Sequence, residues 1–390
     1  MTVTSPKGFS AAGLGSGIKI TGAPDLALVV TENRLPATCA GVFTPNKACA
    51  APVRLSKSNL EKTKGYATGV LINSGNANAA TGQLGLEHAT QSIAQVAGDL
   101  GIPTEQLLVC STGLIGITLP VEAILNSSSK LVAELGSSED DGHRAANAIM
   151  TTDTFAKEVE IARDGVTIGA MAKGAAMLEP AMATMLAVIT TDLQADSTQL
   201  QGALRLAVNE SFNQLSVDGA MSTNDTVLVF ANGQSNKALN DEALTDLLTE
   251  TCCNLANQMA KDAEGATKVA TISVKGAKTR FDALSGARKV ANSLLVKCSL
   301  FGADPYWGRI ISELGSTMSD FDIDKISISY GDYCVCSGGI AVAVDDEGLR
   351  NYMQGSQIDI SVEIGMGYEN ANLTFTDISC AYIEENMRTS

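Results

Sequence analysis

The chain has 390 residues, 45% hydrophobic and 18% charged, a globular composition that excludes a disordered chain and is long enough for more than one layered domain. Its 43 acidic against 27 basic residues give a formal charge of -16, which argues against nucleic-acid binding and against docking on an anionic membrane. Nine scattered cysteines, none spaced as CxxC, read as buried thiols of a reducing compartment. With no apolar leader and no run of membrane length, the expected location is the cytoplasm.

In chain order, "GLGSG" (13–17) is not GxGxxG, has no clear strand before it, and reads as a turn-forming loop. Strands are predicted at "LALVV" (26–30) and "ATGVLIN" (67–73), followed by a polar, small-residue loop, "NSGNANAATG" (73–82). A helix over 84–100 carries His88 on its surface. The apolar run "LLVC" leads into "CSTGLIG" (110–116), where Thr112 and Gly113 leave a strand end. A helix over 120–135 precedes "LGSSEDDGHR" (135–144), the most acidic and turn-rich stretch, expected to be an exposed loop holding His143.

"AIMTTDT" (148–154) closes an apolar helical segment with three threonines and an aspartate, and capping by hydroxyls accounts for it. "KGAAMLEPAMATMLAVITTD" (173–192) is a methionine-rich apolar run with Thr184 in its middle. A helix near 197–214 is capped by Asp196 and Ser197, a strand follows at 225–231, and a helix at 240–263. Glu264 lies in "DAEGATK" (262–268), a helix end followed by a turn. Further strands are predicted at 268–276, 325–331, 340–344 and 358–365, with a helix over 280–297 and a packed loop, "FGADPYWGRI" (301–310), around the single tryptophan. The alternation is α/β, but no regular βαβ repeat of a doubly wound Rossmann sheet emerges, and a smaller C-terminal α/β unit is expected from about 280 to 390.

Chemistry is constrained by scarcity. There are only two histidines, no HExxH and no His-rich cluster, so neither a metal site nor a His-based triad is supported. A Thr-Gly pair at a strand end can offer a hydroxyl or backbone N–H to a developing oxyanion. A threonine becomes a nucleophile without histidine when it is N-terminal, because its own α-amine serves as base. Thr184 would reach that state if the chain cleaved itself after the small residue Ala183. Spacing alone leaves Thr184 best explained by packing.

The blocks "NSGNANAATG", "VCSTGLIG", "AIMTTDT", "KGAAMLEPAMATMLAVITTD", "STNDTV", "DAEGATK" and "FGADPYWGR", in this order, reverse that balance. The chain resembles the ornithine acetyltransferases (bifunctional glutamate N-acetyltransferases) of the cyclic arginine pathway, from "SPKGF" to the C-terminus. The resemblance implies a layered α/β sandwich of the self-cleaving type. It implies cleavage at Ala183–Thr184 into an α fragment (1–183) and a β fragment (184–390), assembled as an α2β2 heterotetramer. It makes Thr184 the nucleophile and Thr112 and Gly113 the oxyanion pair. It assigns substrate contacts to Thr151 with the adjacent Thr152, Lys173, Thr184, Glu264, Asn386 and the terminal hydroxyl residue Ser390, next to Thr389.

The tail "YIEENMRTS" departs from the family ending, being about one residue shorter with Met-Arg where an aromatic is usual. "KGAAM" has Ala175–Ala176 where the family commonly has a glycine. The implied reaction moves acetyl from N-acetylornithine to glutamate through an acyl-threonine, with acetyl-CoA as a further donor in bifunctional members and no metal or organic cofactor. The alternatives are an N-terminal-nucleophile aminopeptidase or amidase, and a non-catalytic amino-acid-binding relative.

Overall fold

The structure, a computed structural model, describes residues 2–179, 185–318 and 320–387. In chain order its elements are β1 (Phe9–Leu14), β2 (Leu26–Thr31), β3 (Ala37–Phe43), α1 (Ala51–Lys62), β4 (Tyr66–Ala67), β5 (Gly69–Asn76), α2 (Gly82–Leu100), β6 (Leu107–Leu114), α3 (Val121–Ala133), α4 (Glu139–Ala148), β7 (Lys157–Arg163), β8 (Val166–Lys173) and β9 (Leu186–Thr191). They continue as α5 (Ser197–Asn209), β10 (Leu215–Ser216), β11 (Thr226–Ala231), α6 (Asp241–Lys261), β12 (Val269–Ala277), α7 (Arg280–Ala291), α8 (Leu294–Phe301) and α9 (Gly308–Gly315). The last are β13 (Ser327–Tyr330), β14 (Tyr333–Ser337), β15 (Ile340–Ala341), α10 (Asp346–Met353), β16 (Gln357–Glu363), β17 (Glu369–Thr376) and α11 (Cys380–Asn386). The chain divides into two compact units, one of residues up to 213 with 220–259, the other of 214–219 with the chain from 260 onward.

The first unit is built on two sheets, ordered β1-β2-β5-β6 and β4-β3-β11-β9-β8-β7. Strands β2, β5, β9 and β11 are buried along most or all of their length, so they read as continuous apolar runs rather than as alternation. One core cluster draws on both sheets: Phe9, Val29, Ile72 and Leu108 meet Met171, Val188, Leu228 and Phe230, with Ala145, Ala146 and Ile149 from the region of α4. On the other face of the first sheet, Leu28, Leu71 and Val109 pack with Ile93, Val96 and Ala97 of α2 and Ile124 and Leu131 of α3. Helix α5 lies against β3, where the Gln201 amide and the Gly41 peptide bond each other at 3.1 and 3.2 Å. Sheet on sheet with outer helices gives the expected layered α/β sandwich rather than a doubly wound sheet. Full burial of each such Val, Leu or Ile contributes about 1.5–3 kcal/mol.

The second unit carries a seven-stranded mixed sheet, β10-β17-β12-β16-β13-β14-β15, in which β12 runs parallel to β16 and antiparallel to β17. Ile272, Val274, Leu373 and Phe375 pack with Val290 of α7, Leu300 of α8 and Ile310 and Leu314 of α9.

Several expectations are corrected. The stretch 135–144 is not a loop throughout: α4 begins at Glu139, and Ser138 forms a capping box with Asp141. Three acids in the first turn favour the positive end of that helix, so acidic composition signalled a helix start rather than a loop. His143 consequently lies on a helix and bonds Glu158 at 2.6 Å. The single helix expected over 280–297 is two, because α7 ends at Ala291 and Ser293 caps α8 by accepting from the Val296 N–H. "IAVAV" pairs only at Ile340–Ala341. "GLGSG" does follow a strand, β1, and its loop wraps a carboxylate: Asp25 accepts from the N–H groups of Ser16, Gly17 and Lys19 at 2.6, 3.2 and 2.9 Å. The cysteines are all free, but they are not uniformly buried: Cys298, Cys334 and Cys380 are exposed.

Candidate active site

Strands β5 and β6 run parallel with Ser74 opposite Thr112 and Gly75 opposite Gly113, and the register shifts at Asn76. Thr112 is buried and Gly113 exposed at the end of β6. Only glycine fits at 113: its φ is +131°, and a Cβ there would lie 2.3 Å from the Gly75 carbonyl carbon and 2.5 Å from the Asn76 nitrogen. Thr112–Gly113 is therefore a strand end locked against its neighbour.

Lys173 ends β8 and pairs with Leu186 at the start of β9. Its ammonium is 3% exposed and 3.9 Å from Asp153 Oδ2, while Lys157, fully buried, donates to Asp153 Oδ1 at 2.6 Å. Asp153 also accepts from the Gly174 N–H at 2.8 Å and the Thr151 N–H at 2.9 Å. Burial pushes the Asp153 carboxyl up, but Lys173, Lys157 and these hydrogen bonds together outweigh it and hold the group at about 2. Asp153 thus ties Thr151 to the Lys173–Gly174 segment. Thr152, by contrast, is exposed.

Lys19 sits beside this cluster and donates to the carbonyls of Pro24 and Met150 at 2.8 and 2.7 Å. Burial depresses its ammonium, an effect opposed by Asp25 and Asp153. Lys19, Met150 and Thr151 line a cleft of about 450 Å3 with Gly13, Pro24 and Asn147. A larger groove of about 660 Å3, between β3, α1 and α5, contains none of the candidate residues.

Two further residues join these pieces. The Asn224 amide donates to the carbonyls of Ala77 at 2.6 Å and Ser111 at 2.8 Å, next to Thr112. Asp225 Oδ1 accepts from the Met185 N–H at 3.0 Å, next to position 184. Burial raises the Asp225 carboxyl well above the ordinary carboxylate range, against the opposing Met185 N–H, Ser222 hydroxyl and Lys173 charge.

In the second unit, Glu264 and Asn386 meet: the Asn386 amide donates to Glu264 Oε2 at 2.8 Å and to the Tyr382 carbonyl at 2.9 Å. The turn after α6 docks α11 closely. Ser379 Oγ donates to the Gly265 carbonyl at 2.5 Å, and a Cβ on Gly265 would lie 2.3 Å from the Tyr382 nitrogen. Ala183, Thr184, Thr389 and Ser390 lie outside the described residues. Among the described residues no cluster of three His, Cys, Asp or Glu side chains is arranged to hold a metal, and no helix is long and apolar enough to cross a membrane.

Sequence reasoning left Asp153, Lys157, Lys19 and Asp225 without a role. Asp153 and Lys157 carried a faint signal, opposite charges four apart in the chain. Asp225 carried none beyond its place in "STNDTV".

The ArgJ family model matches residues 10–389. The arginine biosynthesis bifunctional protein ArgJ of Mycobacterium tuberculosis is 44% identical over 391 residues, covering 98% of this chain and 95% of its own. The protein of that name from Streptomyces avermitilis is 41% identical, covering 99% of each. Among solved structures, ornithine acetyltransferase from M. tuberculosis in complex with ornithine is 40% identical and covers 47% of this chain and 95% of its own, with a TM-score of 0.44.

Proposed function

The chain belongs to the ArgJ family, and on that premise we propose that it is a glutamate N-acetyltransferase that moves acetyl from N-acetylornithine to glutamate in arginine biosynthesis. The observation that carries the reading is the buried Asp153 cluster, which keeps a cation, Lys173, beside the start of β9 in a chain of charge -16. A small amino-acid substrate presents a carboxylate, and a desolvated ammonium recognises it through a charge-assisted bond.

The steps balance without a cofactor. The chain first cleaves itself: Thr184 Oγ attacks the Ala183 carbonyl carbon, the peptide C–N bond breaks to leave an ester and a free amine, and water hydrolyses the ester. Thr184 Oγ then attacks the acetyl carbonyl of N-acetylornithine and gives its proton to the Thr184 α-amine. The oxyanion is stabilised by the Thr112 hydroxyl and the Gly113 N–H. The C–N bond breaks, and ornithine leaves with the proton. Glutamate enters, its amine attacks the acetyl-threonine, and the proton returns to Oγ. Lys173 and Thr151 hold the substrate beside Asp153. Glu264, Asn386 and Ser390 are further substrate contacts carried over from the resemblance. Thr152 is carried over beside Thr151.

The reading extends to acetyl-CoA as a second acetyl donor, to an α2β2 assembly of cleaved fragments, and to a cytoplasmic enzyme. Mass spectrometry of the purified protein, with and without N-acetylornithine, tests the core of it. Expected are two fragments meeting at Ala183–Thr184 and one acetyl on the fragment that begins with Thr184. A single intact chain that never takes up acetyl refutes it. Rapid loss of the acetyl to water without glutamate points to a hydrolase instead. Loading of the same fragment by acetyl-CoA tests the second donor.

A further inference from the structure

The loop before β11 buries polar side chains that the mechanism above does not use. Ser222, Asn224 and Asp225 are 2%, 4% and 0% exposed. Burying an amide and a carboxyl costs free energy unless their bonds are replaced, so the partners reveal what the loop does. Asn224 spends both amide hydrogens on two carbonyls of the β5–β6 end, Ala77 and Ser111. Its Oδ1 is bonded by the Thr223 hydroxyl at 2.7 Å, and its N–H donates to Ser222 Oγ at 3.0 Å. Its orientation is therefore fixed.

Asp225 faces the other way along the chain. Its Oδ1 takes the Met185 N–H, its own carbonyl accepts from the Thr44 N–H at 2.9 Å, and the following Thr226 N–H donates to the Met185 carbonyl at 3.2 Å. Met185 is thus held at both its amide and its carbonyl by two consecutive residues. The peptide N–H that Asp225 holds joins Met185 to residue 184.

We infer that Asp225, with Asn224 beside it, is a positioning residue for the threonine nucleophile: Asp225 sets the peptide that follows Thr184, and Asn224 sets the strand end that carries Thr112 and Gly113. The inference rests on the reading in which Thr184 is the nucleophile. Neither side chain needs to touch substrate. Two adjacent residues on one loop tie Met185, at the entry to β9, to the end of β6, a link that no single sheet provides, since β6 and β9 belong to different sheets. Attack requires the reacting atoms aligned within a fraction of an ångström, so an error of about 1 Å costs on the order of 100-fold in rate.

Burial raises the Asp225 carboxyl well above the ordinary carboxylate range. Its buried Oδ2 makes no hydrogen bond of ordinary geometry with the described residues, although the Ser222 hydroxyl lies close enough to act on the carboxyl. Lys173, the cation nearest in its influence, is already shared with Asp153. Asparagine is its conservative replacement: it keeps the oxygen that accepts from the Met185 N–H and the size of the side chain, whereas alanine and serine cannot reach that N–H.

The test compares Asp225→Asn, Asp225→Ala and Asp225→Ser in the full-length protein, measuring the rate of self-cleavage, single-turnover acetylation by N-acetylornithine, and kcat and KM for transfer to glutamate. Asp225→Asn is expected to cleave and turn over within about threefold of the parent. The other two, folded by circular dichroism, are expected to cleave and acetylate on the order of 100-fold more slowly, with the loss in kcat and little change in KM. A merely structural role would lower the amount of folded protein without this split or this rescue. Parental rates in Asp225→Ala or Asp225→Ser overturn the inference. So does a folded Asp225→Asn that loses 100-fold, and this arm stands even where alanine and serine fail to fold. A parent that is neither cleaved nor acetylated refutes the function reading itself, and the positioning role falls with it.

Discussion

Replacing Asp153 by asparagine should destabilise the protein more than any other single change of one atom type in the site. Asp153 accepts on both oxygens: Oδ1 from Lys157 and the Gly174 N–H, and Oδ2 from the Thr151 N–H with Lys173 at 3.9 Å. An asparagine amide turns one of those oxygens into a donor, so whichever way it is placed it faces an N–H donor and a lysine. Two buried ammonium groups also lose their shared anion. The drop of the carboxyl from 3.8 to about 2 corresponds to roughly 2 kcal/mol of preference for the charged form in the folded state. Breaking a buried pair typically costs about 3–5 kcal/mol. We therefore expect a loss of about 3 kcal/mol by urea unfolding, and a melting temperature lower by roughly 4–6 °C. The acid limb gives an independent check. Because the folded pKa is depressed, this contribution is complete above the unfolded value near 3.8 and is lost as pH falls through about 2. The parent should lose stability across that window, and the variant should lack that part of the slope. A variant within about 0.5 kcal/mol of the parent, with the same acid limb, would refute the reasoning.

Lys173→Met separates binding from stability. Asp153 keeps Lys157 as its direct partner, so the loss of stability should be smaller than for Asp153→Asn, while kcat/KM for N-acetylornithine should fall about 10- to 100-fold with the lost charge-assisted bond; an unchanged kcat/KM removes Lys173 from the site. Gly113→Ala forces a Cβ to within 2.3 Å of the Gly75 carbonyl carbon at a φ of +131°, so the end of β6 must shift. Acetylation in a single turnover should slow by about 100- to 1000-fold through misplaced oxyanion donors, and a parental rate would dismiss that role.

What was legible in the sequence was local. Helix α5 begins where its cap predicted: Asp196 accepts from the N–H groups of Thr198 and Gln199, both at 2.9 Å. Strands β2, β11, β12 and β16 and helices α2 and α6 fall close to their predicted places, because each carries its period or its apolar run within one segment. The hairpin of β7 and β8 turns on Asp164–Gly165, both at positive φ, a pairing signal flanked on the β7 side by no long apolar run. β14 and β17 gain their definition from neighbours in the sheet, as do the short pairing of β15 and the break between α7 and α8.

By itself the sequence determined the chemistry available. Two histidines removed the common bases, the Thr112–Gly113 pair at a predicted strand end offered oxyanion donors, and the ordered blocks identified the acyl-transfer family. Only the tertiary structure decided what holds those residues. Asp153 with Lys157 and Lys173, and Asp225 with Met185, join positions up to 40 residues apart in the chain. A buried carboxyl's charge is set by what surrounds it: cations press Asp153 down to about 2, and burial lifts Asp225. No spacing rule distinguishes two aspartates that differ only in the groups the fold brings against them.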